Sequence, residues 1–252
     1  MENTNITSYQ IAKVDVDIFH KTKFPRIVLL GRSNCGKSEA VKAICHSMRR
    51  QCYQAFVHSS SESNQKFYET FITSDQISFE SNFDSLRTAY EEHKKRKQSY
   101  EAMVASKEIT FDDAQKKCQM LIILDDVDSM GDNIFKNELI KQLWMNGRHD
   151  WITVLVTLQS AQGVGPMLRD QSDWVVTWYD PSVTNQKHLY MNWIGYFPSF
   201  RDFKDVYNDI TGEYKCLIAC KLCGGRTNVE SNIFSWAPSR IEGSFSFISS
   251  KD

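Results

Sequence analysis

The sequence lacks the features of a secreted or membrane-spanning protein. Its first five residues are polar and have no apolar core of the kind a signal peptide carries. No run approaches the ~18 consecutive apolar residues of a spanning helix. The seven cysteines are scattered and odd in number, so they do not indicate a disulfide framework. We therefore expect reduced thiols in a cytosolic-type compartment.

An excess of charge of one sign is also missing. The formal net charge is -1, so no global basic field attracts nucleic acid, and any such binding must come from local patches or from an assembled ring that combines them. Hydrophobic residues make up 41% and charged residues 24% of the 252 residues. These values are ordinary for a globular protein, and the length suits one large α/β domain.

Two local clusters suggest binding sites, but a structural explanation is favoured for each. Three cysteines resemble an incomplete zinc site, yet no fourth ligand is near and two of them lie in a strand-like apolar run; they are Cys216, Cys220 and Cys223. The basic run at 94–97 could contact DNA phosphates. A solvated helix face that pairs with the glutamates just before the run is the favoured interpretation.

Short apolar runs alternate with segments of helical spacing, which predicts a mainly parallel sheet covered by helices on both faces. The predicted strands are 26–30, 53–57, 119–124, 151–158, 173–178, 214–222 and 232–236. The predicted helices are 37–50, 79–117, 132–146, 182–193 and 201–208. The sequence thus indicates an α/β fold with three layers.

A phosphate-binding loop follows the first of these strands and precedes the first helix. It satisfies every fixed position of the pattern G-x-x-x-x-G-K-[ST] in the context that the pattern requires. Its residues are Gly31, Arg32, Ser33, Asn34, Cys35, Gly36, Lys37 and Ser38. Backbone N–H groups and the helix N-terminus favour phosphate binding. Lys37 is expected to reach the β- and γ-phosphates of ATP, and the Ser38 hydroxyl to bind Mg²⁺.

Polar residues at the ends of two later strands complete the predicted site. The buried run from Leu121 ends in Asp125 and Asp126, a pattern typical of a Walker B strand. Asp125 is expected to hold Mg²⁺, and Asp126 to polarise the attacking water. Gln159 ends the next strand, where it can sense the γ-phosphate or orient the attacking water if that strand lies beside the P-loop.

Two arginines are candidates for an arginine finger, which stabilises transition-state charge in cis or from a neighbouring subunit. Arg148 lies at the end of a predicted helix, within 146–149, and Arg169 follows a Gly/Pro loop. An arginine at such a position can equally cap helix carbonyls, so both interpretations stay open.

Other P-loop classes fit poorly, since the sequence has no Asn-Lys-x-Asp guanine motif, transporter signature or Asp-Glu-Ala-Asp box. The ordered set of P-loop, Asp125-Asp126, the Gly-Arg-His junction at 147–149, Gln159 and the Pro-x-x-Arg stretch at 166–169 resembles the FtsK/HerA superfamily. Within it, the set is similar to the poxvirus-type genome-packaging ATPases of nucleocytoplasmic large DNA viruses and virophages.

This resemblance implies a RecA-like P-loop NTPase at 24–237, between an N-terminal extension (1–23) and a C-terminal tail (238–252), and with no domain before the motor core. It also implies an ATPase that moves double-stranded DNA into a capsid as a homo-oligomeric ring, in which an arginine, Arg148 before Arg169, acts between subunits. Capsid or portal partners and a location in the viral factory or virion would follow. A small-molecule kinase and a nucleotide-dependent scaffold are the alternatives.

Overall fold

The computed structural model of the chain describes residues 9–59, 65–79, 82–127, 136–162, 164–222 and 228–247. Within them, nine strands form one sheet. The strands are β1 (Ala12–Lys13), β2 (Arg26–Leu30), β3 (Gln54–Ser59), β4 (Ile77–Ser78), β5 (Met120–Asp125), β6 (Ile152–Leu158), β7 (Trp174–Thr177), β8 (Cys216–Cys220) and β9 (Ile233–Trp236).

Nine α-helices accompany these strands in the described residues. They are α1 (Lys37–Met48), α2 (Gln65–Tyr68), α3 (Asp84–Ala105), α4 (Phe111–Cys118), α5 (Glu138–Asn146), α6 (Pro166–Gln171), α7 (Val183–Asn192), α8 (Phe200–Ile210) and α9 (Val229–Asn232). Short 3-10 helices span Val16–Lys21 and Ser74–Gln76.

The strand order is β1-β9-β8-β7-β2-β6-β5-β3-β4. Only β8 runs against its neighbours, pairing antiparallel with β7 and β9, and every other pair is parallel. The predicted α/β fold with a mainly parallel sheet is therefore confirmed. Parallel strands bury both faces, which explains why β2, β5 and β6 are apolar almost throughout.

Alternate residues of the strands enter two separate cores, which makes the fold three-layered. Ile27 and Leu29 of β2 pack with α1 on one face. Val28 and Leu30 pack on the other face with α3, α5, α7 and α8. Side chains of successive strand residues point to opposite faces, so a continuous apolar run supplies both cores.

The structure differs from the sequence-based elements in several places. The segment predicted as one helix at 79–117 forms α3 and α4, separated by a turn that ends at the Thr110 N-cap. The loop broken by Gly and Pro contains the short helix α6, which Pro166 begins, as proline suits a first helical turn. Of the helix predicted at 132–146, the described residues begin at 136, and the helix itself begins at Glu138, after the N-cap Asn137.

Both ends of the described chain join the folded unit. Ala12 and Lys13, assigned to an extension from sequence, form the edge strand β1 beside β9. At the other end, the backbone N–H of Phe245 donates to the carbonyl of Thr70 over 3.2 Å. The segment after β9 thus returns to the face that carries α1 and α2.

Candidate functional site

A cleft of about 620 Å³ opens at the edge of the sheet where β2, β5 and β6 end. In open parallel sheets ligands bind outside the carboxyl ends of the strands. The cleft is lined by Arg32, Ser33, Asn34, Gly36, Lys37, Ser38, Glu39, Asp125, Asp126, Thr157, Gln159, Tyr214, Pro238 and Arg240. The P-loop, the Walker B acids and Gln159 therefore share one cavity, which is the arrangement that the sequence predicted.

The P-loop wraps around the start of α1 as a phosphate-binding loop does. Gly36 is the N-cap of α1 with φ 108°, a left-handed conformation that side chains rarely adopt. The ammonium of Lys37 donates to the carbonyls of Gly31 and Arg32, so it lies across the mouth of the loop. The backbone N–H groups of the loop and the positive end of the helix dipole therefore create a binding site for an anion.

Two of the eight P-loop residues turn inward rather than toward the cleft. A Cβ on Gly31 would meet the Sγ of Cys35 at 2.5 Å and the ring of Trp178 at 3.2 Å, so a larger residue there would displace the Cys35 side chain. Cys35 packs against the core that contains α1. Burial raises the pKa of the Cys35 thiol, although nearby Lys37 opposes the shift. Its side chain supports the loop, and the other six residues line the cleft.

Asp125 is held at the end of β5 by groups from three elements. Its Oδ1 accepts a hydrogen bond from the Thr157 hydroxyl at 2.7 Å, and its Oδ2 accepts one from the Ser59 hydroxyl at 3.3 Å. The Tyr68 hydroxyl of α2 also bonds to it, and burial together with this carboxylate raises the pKa of Tyr68 well above its ordinary value. Asp125 is 9% exposed, so it presents a fixed carboxylate to the cleft.

Asp126 and Gln159 contact each other directly. The Gln159 amide donates to both carboxylate oxygens of Asp126, at 2.7 and 2.9 Å. The backbone N–H of Asp126 donates to the Thr157 hydroxyl at 2.8 Å. Asp126 has φ 54°, and a non-glycine residue in this region persists only where its surroundings fix it. The second acid is therefore oriented by the strand that carries Gln159.

Strand order explains why these groups meet. β6 lies between β2 and β5, with Leu30 opposite Leu158 and Leu124 opposite Val156. Adjacent strands are about 4.8 Å apart, so the residue after β6 is placed midway between the P-loop and the Walker B acids. The proximity of Gln159 to the P-loop, which the sequence could only assume, follows from this order.

The donor set at the cleft suits magnesium. Mg²⁺ prefers hard oxygen ligands and takes one or two protein groups while keeping several waters. The Ser38 hydroxyl in the first turn of α1 and the Asp125 carboxylate both line the cleft. The residues present therefore fit the ion that the sequence predicted. Across the part of the chain that the structure describes, no group of three or more His, Cys, Asp or Glu forms a separate metal site.

Arg148 lies at the opposite edge of the sheet, away from the cleft. It forms an ion pair with Asp173, the residue just before β7. The backbone N–H of Arg26 also donates to Asp173, at 2.8 Å, and its guanidinium contacts the same carboxylate at 3.3 Å. Asp173 is 1% exposed. The structure thus joins Arg148 to a three-residue ionic cluster around the buried Asp173 (Arg26, Arg148, Asp173), and does not bring it into its own nucleotide site.

Arg169 is also remote from the cleft of its own chain. It lies near the end of α6, where its carbonyl accepts a hydrogen bond from the Lys221 ammonium. Burial lowers the pKa of Lys221, although neighbouring Asp170 opposes the shift. In the described residues, no ion pair engages the Arg169 side chain, which is half-buried. Of the two finger candidates, Arg169 is the one whose side chain forms no ion pair within the described part of the chain.

The basic run on α3 is used for internal contacts, as the favoured interpretation predicted. Lys94 pairs with Glu91 at 2.8 Å and Lys97 with Glu101 at 2.7 Å. Arg96 lies 4.1 Å over the ring of Tyr53. Cys216 and Cys220 are buried in β8, and Cys223 lies outside the described residues.

Sequence reasoning missed part of the cleft. Tyr214, Pro238 and Arg240 line it from the segments that flank β8 and β9, and Ser59 and Tyr68 support Asp125 from behind. None of these belongs to a spaced motif, and Arg240 lies in the part of the chain taken for a tail. The succession of two strands, β8 and then β9, was the available signal. Because these strands are antiparallel, the start of β8 and the end of β9 lie at the same edge of the sheet.

Among the described helices, none combines the length and the apolarity that a membrane span requires.

Comparison with known proteins places these features in a family. Residues 12–179 match the family described as Poxvirus A32 protein. The chain is 30% identical to the uncharacterized protein 088R of Invertebrate iridescent virus 3, across 76% of this chain and 67% of that protein. It is 29% identical to the uncharacterized protein L437 of Acanthamoeba polyphaga mimivirus, across 77% and 66%. The chain thus spans about two thirds of the length of these relatives.

Solved structures share the fold at low sequence identity. The genome packaging NTPase B204 from Sulfolobus turreted icosahedral virus 2, in complex with ATP-gammaS, superposes with a TM-score of 0.57 and 14% identity, covering 85% of this chain and 97% of that chain. EssC (ATPases 2 and 3) from Geobacillus thermodenitrificans gives a TM-score of 0.59 and 14% identity, covering 88% and 41%. This arrangement of strands and helices is therefore the one found in viral packaging and EssC ATPases.

Proposed function

This chain belongs to the poxvirus A32 protein family and is a P-loop ATPase, and on that premise we propose that it hydrolyses ATP to move viral double-stranded DNA into a capsid. The observation that carries the proposal is the contact between Asp126 and Gln159 beside the P-loop. A phosphate site, a metal-binding carboxylate and an oriented second acid in one cleft are the parts that hydrolysis of a triphosphate requires.

Each residue has a distinct task in the proposed reaction. The P-loop N–H groups and Lys37 bind the phosphates and stabilise the charge that develops on the γ-phosphoryl oxygens. Asp126 accepts a hydrogen bond from the attacking water and orients it in line with the bond that breaks. Gln159 holds the Asp126 carboxylate and, because it directly follows the last residue of β6, links the state of the γ-phosphate to the central sheet. Release of phosphate would then change the contact between these two side chains.

The metal ion is expected to be held by Ser38 and Asp125. When bound, Mg²⁺ neutralises charge on the β- and γ-phosphates and so favours departure of the ADP oxygen. Asp125 suits this task because hydrogen bonds from Thr157 and Ser59 fix its orientation, and ordered supporting groups of this kind tune a metal ligand.

The proposed motor acts as a homo-oligomeric ring, with Arg169 as the candidate finger that reaches a neighbouring subunit. A single chain carries a net charge of -1, so its overall charge does not attract DNA, and binding must come from a local basic surface. A ring would bring the local basic surfaces of several subunits together. Capsid or portal proteins are the proposed docking partners. The viral factory in the host cytoplasm, or the virion, is the proposed location.

The proposal is tested by the ATPase rate with and without duplex DNA, in the parent chain and in Lys37→Ala. We expect DNA to raise the rate of phosphate release, Lys37→Ala to abolish it, and nucleotide to promote assembly detected by light scattering. Absence of both DNA stimulation and nucleotide-dependent assembly would refute the motor.

The same assay separates the alternatives. Stoichiometric release of ADP and free phosphate is expected, whereas ADP release matched by a phosphorylated acceptor would identify a kinase. Asp126→Asn should reduce turnover while leaving ATP bound. Unchanged turnover in that variant would overturn the role of Asp126 and favour a nucleotide-dependent scaffold.

A further inference from the structure

One wall of the cleft is built by residues that belong to neither nucleotide motif. Tyr214 lies just before β8, and Pro238 and Arg240 follow β9. Because β8 runs antiparallel to β7, its first residue lies at the edge where β2 and β7 end. β9 runs antiparallel to β8 in turn, so its last residue returns to that edge. The topology thus assembles this wall from distant parts of the chain.

The wall lies opposite the catalytic acids. β5 and β6, which carry Asp125 and precede Gln159, are on one side of β2, and β7, β8 and β9 are on the other. If the terminal phosphates of a nucleotide are bound near Asp125 and Lys37, its nucleoside extends away from them, toward the side of the cleft formed by β7, β8 and β9. Tyr214 and Arg240 are the side chains with planar groups that line the cleft there.

Tyr214 is held in place although its ring faces solvent. The side chain is 73% exposed, but the backbone has φ 64° and the preceding Glu213 has φ 51°. The indole N–H of Trp178 donates to the Tyr214 carbonyl at 3.3 Å. The ring carbon Cδ1 is 3.6 Å from the point where a Cβ on Gly36 would lie. Two successive strained residues that present an exposed aromatic ring over the P-loop are typical of a ligand contact.

Arg240 is presented by a segment tied down on both sides, the C-terminal strap (residues 238–247). The strap leaves the sheet at the end of β9 and is fixed farther along, where the Lys42 ammonium donates to the Gly243 carbonyl at 2.9 Å. Phe245 stacks on Phe71 with ring centroids 5.0 Å apart. Among the described residues, the guanidinium of Arg240 has no ion-pair partner, and it is exposed. A free planar cation is therefore held at the rim of the nucleotide cleft.

We propose that Tyr214 and Arg240 form the subsite for the nucleobase, with the tyrosine ring stacked on one face of the base and the guanidinium on the other. Guanidinium groups stack on aromatic faces, and aromatic side chains stack on any base because every base has a π-face. The inference rests on the proposed function, because it requires a nucleoside triphosphate in this cleft.

The test compares a ligand that has a base with one that lacks it. Dissociation constants for ATP and for inorganic tripolyphosphate, both with Mg²⁺, are measured by calorimetry for the parent chain, Tyr214→Ala, Tyr214→Phe and Arg240→Ala. We expect Tyr214→Ala and Arg240→Ala each to weaken ATP roughly 5- to 150-fold. Tripolyphosphate binding should change by less than about twofold, since phosphate contacts are left intact. Tyr214→Phe keeps the ring and should bind ATP as the parent does.

The outcomes separate this subsite from the phosphate site. An unchanged ATP affinity in Tyr214→Ala would overturn the subsite, and so would equal losses for ATP and tripolyphosphate, which would indicate distortion of the P-loop. A parent chain that binds ATP no more tightly than tripolyphosphate would also refute it while leaving the phosphate site intact. Lys37→Ala should weaken both ligands. Failure of the parent chain to bind either ligand would refute the proposed function itself.

Discussion

Replacement of Asp173 by asparagine is expected to destabilise the protein strongly without a direct effect on ATP binding. The carboxylate is 2% exposed and serves two arginines, Arg26 (10% exposed) and Arg148 (34% exposed). It also accepts the backbone N–H of Arg26 at 2.8 Å. Removing the acid leaves the Arg26 guanidinium desolvated beside an amide. Breaking a buried ion pair in this way costs about 3–5 kcal/mol.

The second half of the prediction concerns Arg148. Its side chain is about one-third exposed, so water screens the pair, and exposed pairs contribute only about 0.2–1 kcal/mol. Arg26 also keeps Asp173 paired when Arg148 is removed. We therefore expect Arg148→Ala to reduce the free energy of unfolding by about 1 kcal/mol, well below the effect of Asp173→Asn. If Arg148 were a finger, its loss would instead reduce turnover by about 10³-fold or more.

Urea unfolding and ATP turnover are measured for both variants at one temperature below all unfolding transitions. At about 2–4 °C per kcal/mol for a chain of this size, Asp173→Asn should also lower the melting temperature by roughly 6–20 °C. A loss of less than 1 kcal/mol in Asp173→Asn would refute the ionic cluster as a stabilising element. A collapse of turnover in a stable Arg148→Ala would refute its structural assignment.

Further predictions address the buried imidazole, the oriented acid and the second arginine. Burial lowers the pKa of His93 to about 4, so the folded state disfavours protonation of this side chain. The free energy of unfolding should therefore fall by about 3 kcal/mol between pH 6.5 and pH 4. Urea titrations should find this pH dependence reduced in His93→Gln and unchanged in the control His149→Gln, which replaces an exposed histidine. Gln159→Ala should lower kcat about 10- to 100-fold while leaving ATP affinity nearly unchanged, because Asp126 loses its orientation; equal losses in both quantities would contradict this. Arg169→Ala should reduce turnover only under conditions that support assembly, so an equal loss in assembled and dispersed protein would exclude a finger acting between subunits.

The phosphate half of the site could be predicted from the sequence because its chemistry fixes residue spacing. A backbone loop that surrounds phosphates requires glycines and a helix start within eight positions, and this leaves a contiguous signature at 31–38. The fold class followed from apolar runs long enough for parallel strands. What the sequence could not supply was the strand order. The contact between Gln159 and Asp126 depends on β6 lying between β2 and β5, and no local pattern encodes that position.

Arg148 shows the opposite case. A local sequence pattern made it a candidate arginine finger, but the topology of the sheet places it away from the cleft of its own chain. The residue stands just before β6, and a residue before a parallel strand lies at the edge away from the carboxyl ends where ligands bind. Its partner Asp173 stands just before β7, next to β2 in the sheet. The pairing therefore depends on which strands are neighbours, and the sequence of the junction alone does not contain that information.

The two halves of the cleft differ in how strictly they constrain the chain. Phosphate binding needs many N–H groups aimed at one point, which only a contiguous loop provides. Stacking on a base needs only a planar side chain in contact with one face of the base. Any segment that reaches the cleft can supply such a side chain. In this protein those segments are the turn before β8 and the C-terminal strap, both outside the recognisable motifs. Relatives with the same P-loop can therefore carry different residues in the base subsite. We expect their preference among nucleoside triphosphates to vary with the residues that correspond to positions 214 and 240.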